Sequence, residues 1–146
     1  MITTVFQEIL DTLNEDGILT GYIGANHCYR ARMTAPSIIP SVTIMENNEK
    51  CTPRVGYDAV HVRDHACTVQ VDIWVSSSDE TFPCTGEDTD LIAERIDELL
   101  LNSRSEVVGT RAGSWQKVSS SQQYEADEMI WHNALRYSFE YSKTDT

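Results

Sequence analysis

The chain has 146 residues, 40% of them hydrophobic and 23% charged, and a formal net charge of −12 at pH 7. This length and composition predict a single globular domain, residues 1–146, with one buried core and no disordered or fibrous character. No apolar run reaches the roughly 20 residues that span a bilayer, and the surplus of carboxylates argues against a surface that grips nucleic-acid phosphates.

Lysine is scarce, with only Lys50, Lys117 and Lys143 against 23 acidic residues. Three explanations stay open: ordinary acidic solubility, a high-salt host, or acidic faces that line a passage through which nucleic acid slides. The first residues, MITTVFQEIL, lack the basic start and cleavage site of a signal peptide, so we expect folding in the cytoplasm. In that reducing compartment the four cysteines are expected to be free thiols.

Phe6, Ile9, Leu10 and Leu13 have helical spacing and predict a short amphipathic helix that ends at Asp16–Gly17. Residues 21–36 are interpreted as irregular. The stretch SIIPSVTIME predicts a strand that begins near Pro40, because proline cannot donate a ladder hydrogen bond. Residues 46–56, ENNEKCTPRVG, have the composition of a polar turn or loop.

Residues 57–76 alternate with a period of two, but twenty residues in one strand would extend about 66 Å. We therefore assign residues 47–65 to an extended arm, hairpin or loop, and the sheet strand itself to ACTVQVDIWV, residues 66–75. Its odd-numbered face is apolar and its even-numbered face is polar as far as Trp74. This alternation is typical of an antiparallel sheet covered on one side only.

The second half of the chain predicts a helix and then a long hairpin. Ile92, Ile96, Leu99 and Leu100 form the apolar stripe of a helix with Asp88 and Asp90 near its first turn and its end near Asn102. SWQKVSSSQQY and MIWHNALRYSFEY follow as strands around a turn at 125–128, and residues 143–146 as a flexible tail. The sequence thus predicts an α+β fold, a mostly antiparallel sheet with two main helices on one face.

His61, His65 and Cys67 are the residues most suggestive of a metal site. On a strand, the two histidines lie about 13 Å apart and His65 and Cys67 about 6.6 Å apart, whereas zinc–nitrogen bonds measure roughly 2.0–2.1 Å. His65 and Cys67 would need Cys51 or Cys84 to complete a site, and no CxxC or HExxH spacing supports one. We expect no metal and no cofactor. A small metal- or thiol-dependent enzyme that uses His65, Cys67 and another cysteine is the alternative.

Catalytic motifs give no stronger signal. The run Ser119–Ser121 lies outside any GxSxG elbow, and neither a P-loop nor a GxGxxG motif occurs. We therefore expect no catalytic residues and a protein that is not an enzyme. Trp74 and Trp131 fall within apolar alternation and are expected in the core. Trp115 follows polar residues and is the better candidate for an exposed interface anchor.

The order of these motifs resembles one protein family. A short amphipathic helix is followed by PSVTI, TVQVDIWVSS, the helix DTDLIAERIDELL and the closing strand EMIWHNALRYSFEY. Over roughly residues 3–142, this order is similar to the tail terminator proteins (tail completion, tail-to-head joining) of long-tailed phages and related archaeal viruses.

The resemblance implies a structural protein of the virion tail at the head–tail junction, assembled in the host cytoplasm. It implies a hexameric ring that caps the tail tube, ends its polymerisation and docks onto the head connector or stopper. Its partners would be further copies, the tail tube protein, the connector, and genomic DNA that passes through the lumen without specific binding, with no membrane. A tail-tube or head-completion subunit of the same virion is the alternative.

For such a ring the residues predicted to contact neighbours or partners come from the 47–65 segment and from the exposed tryptophan. They are Asn47, Asn48, Glu49, Lys50, Arg54, Tyr57, His61, Arg63 and Trp115.

Overall fold

The computed structural model describes residues 3–30, 39–53, 62–78, 80–102, 107, 109–111 and 113–144. In chain order the elements are α1 (Thr3–Glu15), α2 (Gly17–Ile23), β1 (Cys28–Arg30), β2 (Ser41–Pro53), β3 (Val62–Ser76), α3 (Gly86–Leu101), β4 (Gln116–Glu125) and β5 (Ile130–Thr144). In this part of the chain, no helix is long and apolar enough to cross a membrane.

The five strands form one sheet in the order β1-β2-β3-β5-β4. β1 pairs with β2 in parallel, and the other neighbours are antiparallel. The fold is therefore α+β with a dominant, mostly antiparallel sheet, as the sequence predicted. β3 lies at the centre, with Val71 opposite Ile44 of β2 on one side and Leu135 of β5 on the other.

The core lies between the helices and one face of the sheet, called here the helix face. On β3 this face carries Val69, Val71, Ile73 and Val75, each fully buried. Burying each such side chain contributes about 1.5–3 kcal/mol relative to exposure. The helices complete the same core with apolar side chains at helical spacing, among them Phe6, Ile9, Leu10, Leu13, Ile92, Ile96 and Leu100.

The helix α3 begins and ends as predicted. Thr85 accepts from the backbone of Asp88, and the Asp88 carboxylate accepts from the backbone of Thr85, which forms a capping box. The helix ends at Leu101, with Asn102 as its C-cap. Local signals therefore suffice to define this element.

Three predictions about local structure were wrong. Within the segment 21–36, which the sequence predicted to be irregular, residues 21–23 belong to the helix α2 and residues 28–30 form β1. β2 continues through Pro53, where a loop was predicted. β5 includes residues 143 and 144, which were assigned to a flexible tail. Asn, Glu and Lys are rare in strands, but the strand segments at 28–30, 47–53 and 143–144 each pair with a neighbouring strand that satisfies backbone groups.

A partly buried ion pair holds the short helix α2 against α3. The Asp16 carboxylate accepts from the Leu19 amide at 2.9 Å, and from Nε and Nη2 of Arg95 at 2.8 and 2.6 Å. The Arg95 guanidinium holds the pKa of Asp16 below its usual value. Because the folded pKa is depressed, this stabilisation is complete above the unfolded pKa of about 3.9 and is lost as pH falls through the folded value.

Replacing Arg95 by methionine should lower the free energy of unfolding at pH 7 by about 1–3 kcal/mol, because it removes charge-assisted hydrogen bonds from a nearly buried carboxylate. In urea titrations, the difference from the wild type should shrink at pH values below about 3.9. Glu98→Gln is the matched control, because this second carboxylate partner of Arg95 is 63% exposed and should contribute little. An equal loss in both variants would contradict the role given to Asp16.

Candidate interaction surfaces

The residues predicted to form an interface do not share one face of the sheet. On β2, the exposed Asn48 and Lys50 lie opposite Thr68 and Ala66 of β3, on the face away from the helices. Glu49 lies opposite Cys67, on the helix face. The exposed Arg63 also follows the odd-numbered residues of β3. The surface is thus divided between two faces.

Most of the other residues predicted to form the interface lie outside the described residues. Arg54, Tyr57 and His61 lie outside them, and so does the side chain of Asn47, whose backbone forms the bulge in β2. Residues 47–53 and 62–65 belong to the sheet, where 63–65 pair with both β2 and β5. A projecting arm or loop is therefore wrong for 63–65, since a strand with two neighbours has its backbone satisfied on both sides. Residues 48–53 pair with β3 alone among the described strands, in the antiparallel way expected of the hairpin that the sequence also allowed.

His65 is held by protein side chains. Its ring stacks on Tyr141 with centroids 4.7 Å apart, and its Nδ1 lies 2.8 Å from Oε1 of Glu49. The Tyr141 hydroxyl donates to the same carboxylate oxygen at 2.6 Å. This arrangement links β2, β3 and β5 and gives His65 a structural role in the sheet.

Two thiols lie in surroundings that disfavour the thiolate. Cys28, Cys67 and Cys84 are free, and burial raises the pKa of Cys28 to about 12 and that of Cys67 to about 11. A nucleophilic cysteine must be deprotonated, so Cys67 is poorly suited to that role at neutral pH. Across the described ranges no group of three or more His, Cys, Asp or Glu is arranged to hold a metal ion.

Trp115 is buried, so its prediction as an exposed anchor was wrong. Its side chain is 6% exposed, and its ring stacks on Phe139 with centroids 4.2 Å apart. The segment before β4 runs along β5, where Thr110 bridges to Tyr141 and Arg111 N donates to the carbonyl of Glu140. This path turns Trp115 inward although its sequence neighbours are polar. Trp74 is also buried, as predicted, and Trp131 is half-buried against the core.

The face of the sheet away from the helices, called here the second face, carries a buried polar network. Gln70, Asp72 and Trp74 on β3 are only 1–2% exposed. Trp74 stacks on His132 at 3.9 Å and donates to the Thr43 hydroxyl at 2.9 Å. The polar alternation predicted a solvated surface here, and that prediction was wrong for this part of the sheet.

The carboxylate of Asp72 is the centre of this network. It accepts from Nε2 of His132 at 2.7 Å and from the amide of Gln70 at 2.9 Å. Gln70 in turn accepts from Nε of Arg136 at 3.1 Å. The network therefore runs from the buried centre of the second face to an exposed arginine on β5. Trp74, which shares this face with Gln70 and Asp72, was the one sequence signal that the face is covered.

Arg136 lies in a groove of about 280 Å³ between β5 and the edge strand. We call it the Arg136 groove, and its polar lining comprises Gln70, Ser119, Ser120, Ser121, Gln123, His132 and Arg136. Beside it, nine of the ten residues of β4 are exposed, including Val118 at 59% and Tyr124 at 42%. Sequence analysis assigned β4 correctly as a strand but gave it no role.

The chain resembles known proteins in its fold but not in its sequence. No protein-family model and no curated protein matches the sequence. Chains in solved structures, however, share the fold. One of these is a chain in the virion of a native gene transfer agent particle, with a TM-score of 0.66, 10% sequence identity, and 92% of this chain and 91% of that chain covered.

Proposed function

We propose that this chain is a structural protein of a virion. The observation that carries the proposal is the fold shared with a gene transfer agent virion chain along 92% of the present chain. The order of helices and strands that resembles tail terminators supports the same class. A protein of this class acts through its surfaces, which agrees with the long exposed edge strand β4.

Within the virion, the proposed role is that of a tail terminator at the head–tail junction. The subunit would form a hexameric ring that caps the tail tube, ends its polymerisation and binds the head connector or stopper protein. A ring is the closed result of a head-to-tail contact between copies. The net charge of −12 would suit a lumen through which genomic DNA slides, because like charges do not adhere.

The hairpin of β2 and β3 is proposed as one contact surface of this ring. Asn48 and Lys50 present exposed side chains on the second face, and Glu49 and Arg63 lie on the helix face. Asn47, Arg54, Tyr57 and His61 remain part of the proposed contact. Trp115 is omitted because it is buried in the subunit.

Light scattering on the purified chain, coupled to size-exclusion chromatography, tests the proposal. The expected particle has six times the 16.5 kDa subunit mass, and electron micrographs with tail tubes should show it as a ring at one tube end. Open-ended tubes of the chain alone would instead identify a tube subunit. A persistent monomer that leaves tube ends bare would overturn the proposal, and so would stoichiometric zinc that is lost in Cys67→Ala.

A further inference from the structure

The strand β4 is an edge whose protection is confined to its ends, at Lys117 beside a register shift in the pairing with β5 and at Glu125. It has ten residues and pairs only with β5 among the described strands. From Val118 to Tyr124 it contains seven consecutive uncharged residues, in a chain with 11 basic and 23 acidic ones. Soluble proteins usually protect exposed edges with charges, proline or short strands. A long, exposed and uncharged edge is a template for a further strand.

Contacts within the subunit also hold the β4 edge in position when no partner is bound. Lys117 binds Asp97 of α3 at 2.9 Å, the side chain of Gln122 donates to the carbonyl of Gly86 at 2.7 Å, and the Tyr124 hydroxyl lies 2.9 Å from that of Ser77. The three contacts are spread along the strand. Because the strand is already ordered, a partner would lose little free energy in ordering it.

The Arg136 groove adds a positive charge beside the edge. Arg136 is exposed, and its guanidinium forms no ion pair with a carboxylate in the part of the chain that the structure describes. The hydroxyls of Ser119 and Ser121 line the same groove. A carboxylate that entered the groove would accept hydrogen bonds from the charged guanidinium and from the neutral hydroxyls. Hydrogen bonds between charged groups are stronger than those between neutral groups.

We propose that the β4 edge and the Arg136 groove together receive an extended, acidic segment of a second copy of this chain. Each copy carries a net charge of −12, so copies repel each other except where a surface is neutral or positive. The β4 edge is neutral and the groove is positive, which matches an acidic partner. An edge that receives a different segment allows a head-to-tail contact between copies, and such a contact forms a ring when its rotation closes. The inference therefore rests on the proposed function and names the receiving surface of the ring.

Charge variants of Arg136 provide the first test, with the mass of the full-length chain measured by light scattering across a range of concentrations. Arg136→Glu should weaken self-association by at least about tenfold, because it places a carboxylate against an acidic partner. Arg136→Lys is the matched control and should stay within about threefold of the wild type, since it keeps the charge but loses the planar fork. Melting temperatures should confirm that both variants are folded.

Proline substitutions test the edge itself. Neighbouring residues of an edge strand point their N–H groups in opposite directions, so of Ser120→Pro and Ser121→Pro one removes a donor to β5 and the other an outward donor. The variant that keeps the higher melting temperature should lose self-association. Retained assembly in that variant, together with retained assembly in Arg136→Glu, would overturn the inference.

The outcomes separate this inference from the proposed function. A wild-type hexamer that Arg136→Glu and both proline variants leave intact would refute the β4 contact and keep the ring. A wild-type dimer that Arg136→Glu dissociates would keep β4 as the surface between copies and refute the ring. A wild-type chain that stays monomeric up to about 1 mM, where binding is worth only about 4 kcal/mol, would overturn the inference.

Discussion

Trp115→Ala is expected to lower the free energy of unfolding by about 3–5 kcal/mol, the usual cost of truncating a buried tryptophan. The side chain is 6% exposed, stacks on Phe139 and meets the edge of Tyr137 with ring centroids 6.4 Å apart. Its removal would leave a cavity between β5 and the segment that leads into β4. Thermal or urea unfolding followed by circular dichroism measures the loss.

Trp115→Phe is the matched variant for this prediction. The buried indole N–H has no hydrogen-bond partner among the described residues, so phenylalanine removes an unsatisfied donor while it keeps most of the ring stacking. The loss should therefore be clearly smaller than for alanine. If Trp115→Ala melted like the wild type but failed to assemble, the tryptophan would be an interface anchor and its place in the core would be refuted.

Asp72→Ala is expected to have an effect of similar size, about 3–5 kcal/mol, because it removes the acceptor that buried groups share. The carboxylate is 1% exposed and accepts from His132 and Gln70. Without it, two buried donors lose their partner and the polar link from β3 to β5 is broken. Urea unfolding at neutral pH gives the free energy directly.

Asp72→Asn is the control, because the amide keeps the shape of the side chain and one acceptor oxygen. It should lose less stability than Asp72→Ala, about 1–2 kcal/mol. Ala134, opposite Asp72 on β5, lies on the same face without a polar side chain, so Ala134→Ser should leave the network intact. If Asp72→Ala kept the wild-type unfolding midpoint, the network would be dispensable for stability.

The two errors about exposure have a common physical origin. Trp115 was expected on the surface because its sequence neighbours are polar, and Asp72 was expected in water because it alternates with valines. Alternation shows which residues share a face, since successive side chains on a strand point to opposite sides. Whether that face is covered depends on the packing of segments that are distant in sequence.

The candidate surface for self-association could not be predicted from the sequence, for a related reason. The run Val118–Tyr124 is visibly uncharged in the sequence, but only the strand order places β4 at the edge of the sheet. Similarly, Arg136 is one of several arginines until the structure places it in a groove with Ser119 and Ser121. Of the residues chosen from the sequence, Asn48, Glu49, Lys50 and Arg63 lie in β2 and β3, where they are divided between two faces of the sheet.

By itself, the sequence determined the α+β class, the helices α1 and α3 and the closing hairpin of β4 and β5. These elements carry strong local signals: the apolar stripe of Phe6 to Leu13, the cap at Thr85, and the aromatic alternation of Tyr137, Phe139 and Tyr141. Only the tertiary structure decided that residues 47–53 are a strand, that Asp72 is buried and that β4 is an edge. Strand pairing and burial depend on contacts between distant segments, and these can override weak local preference.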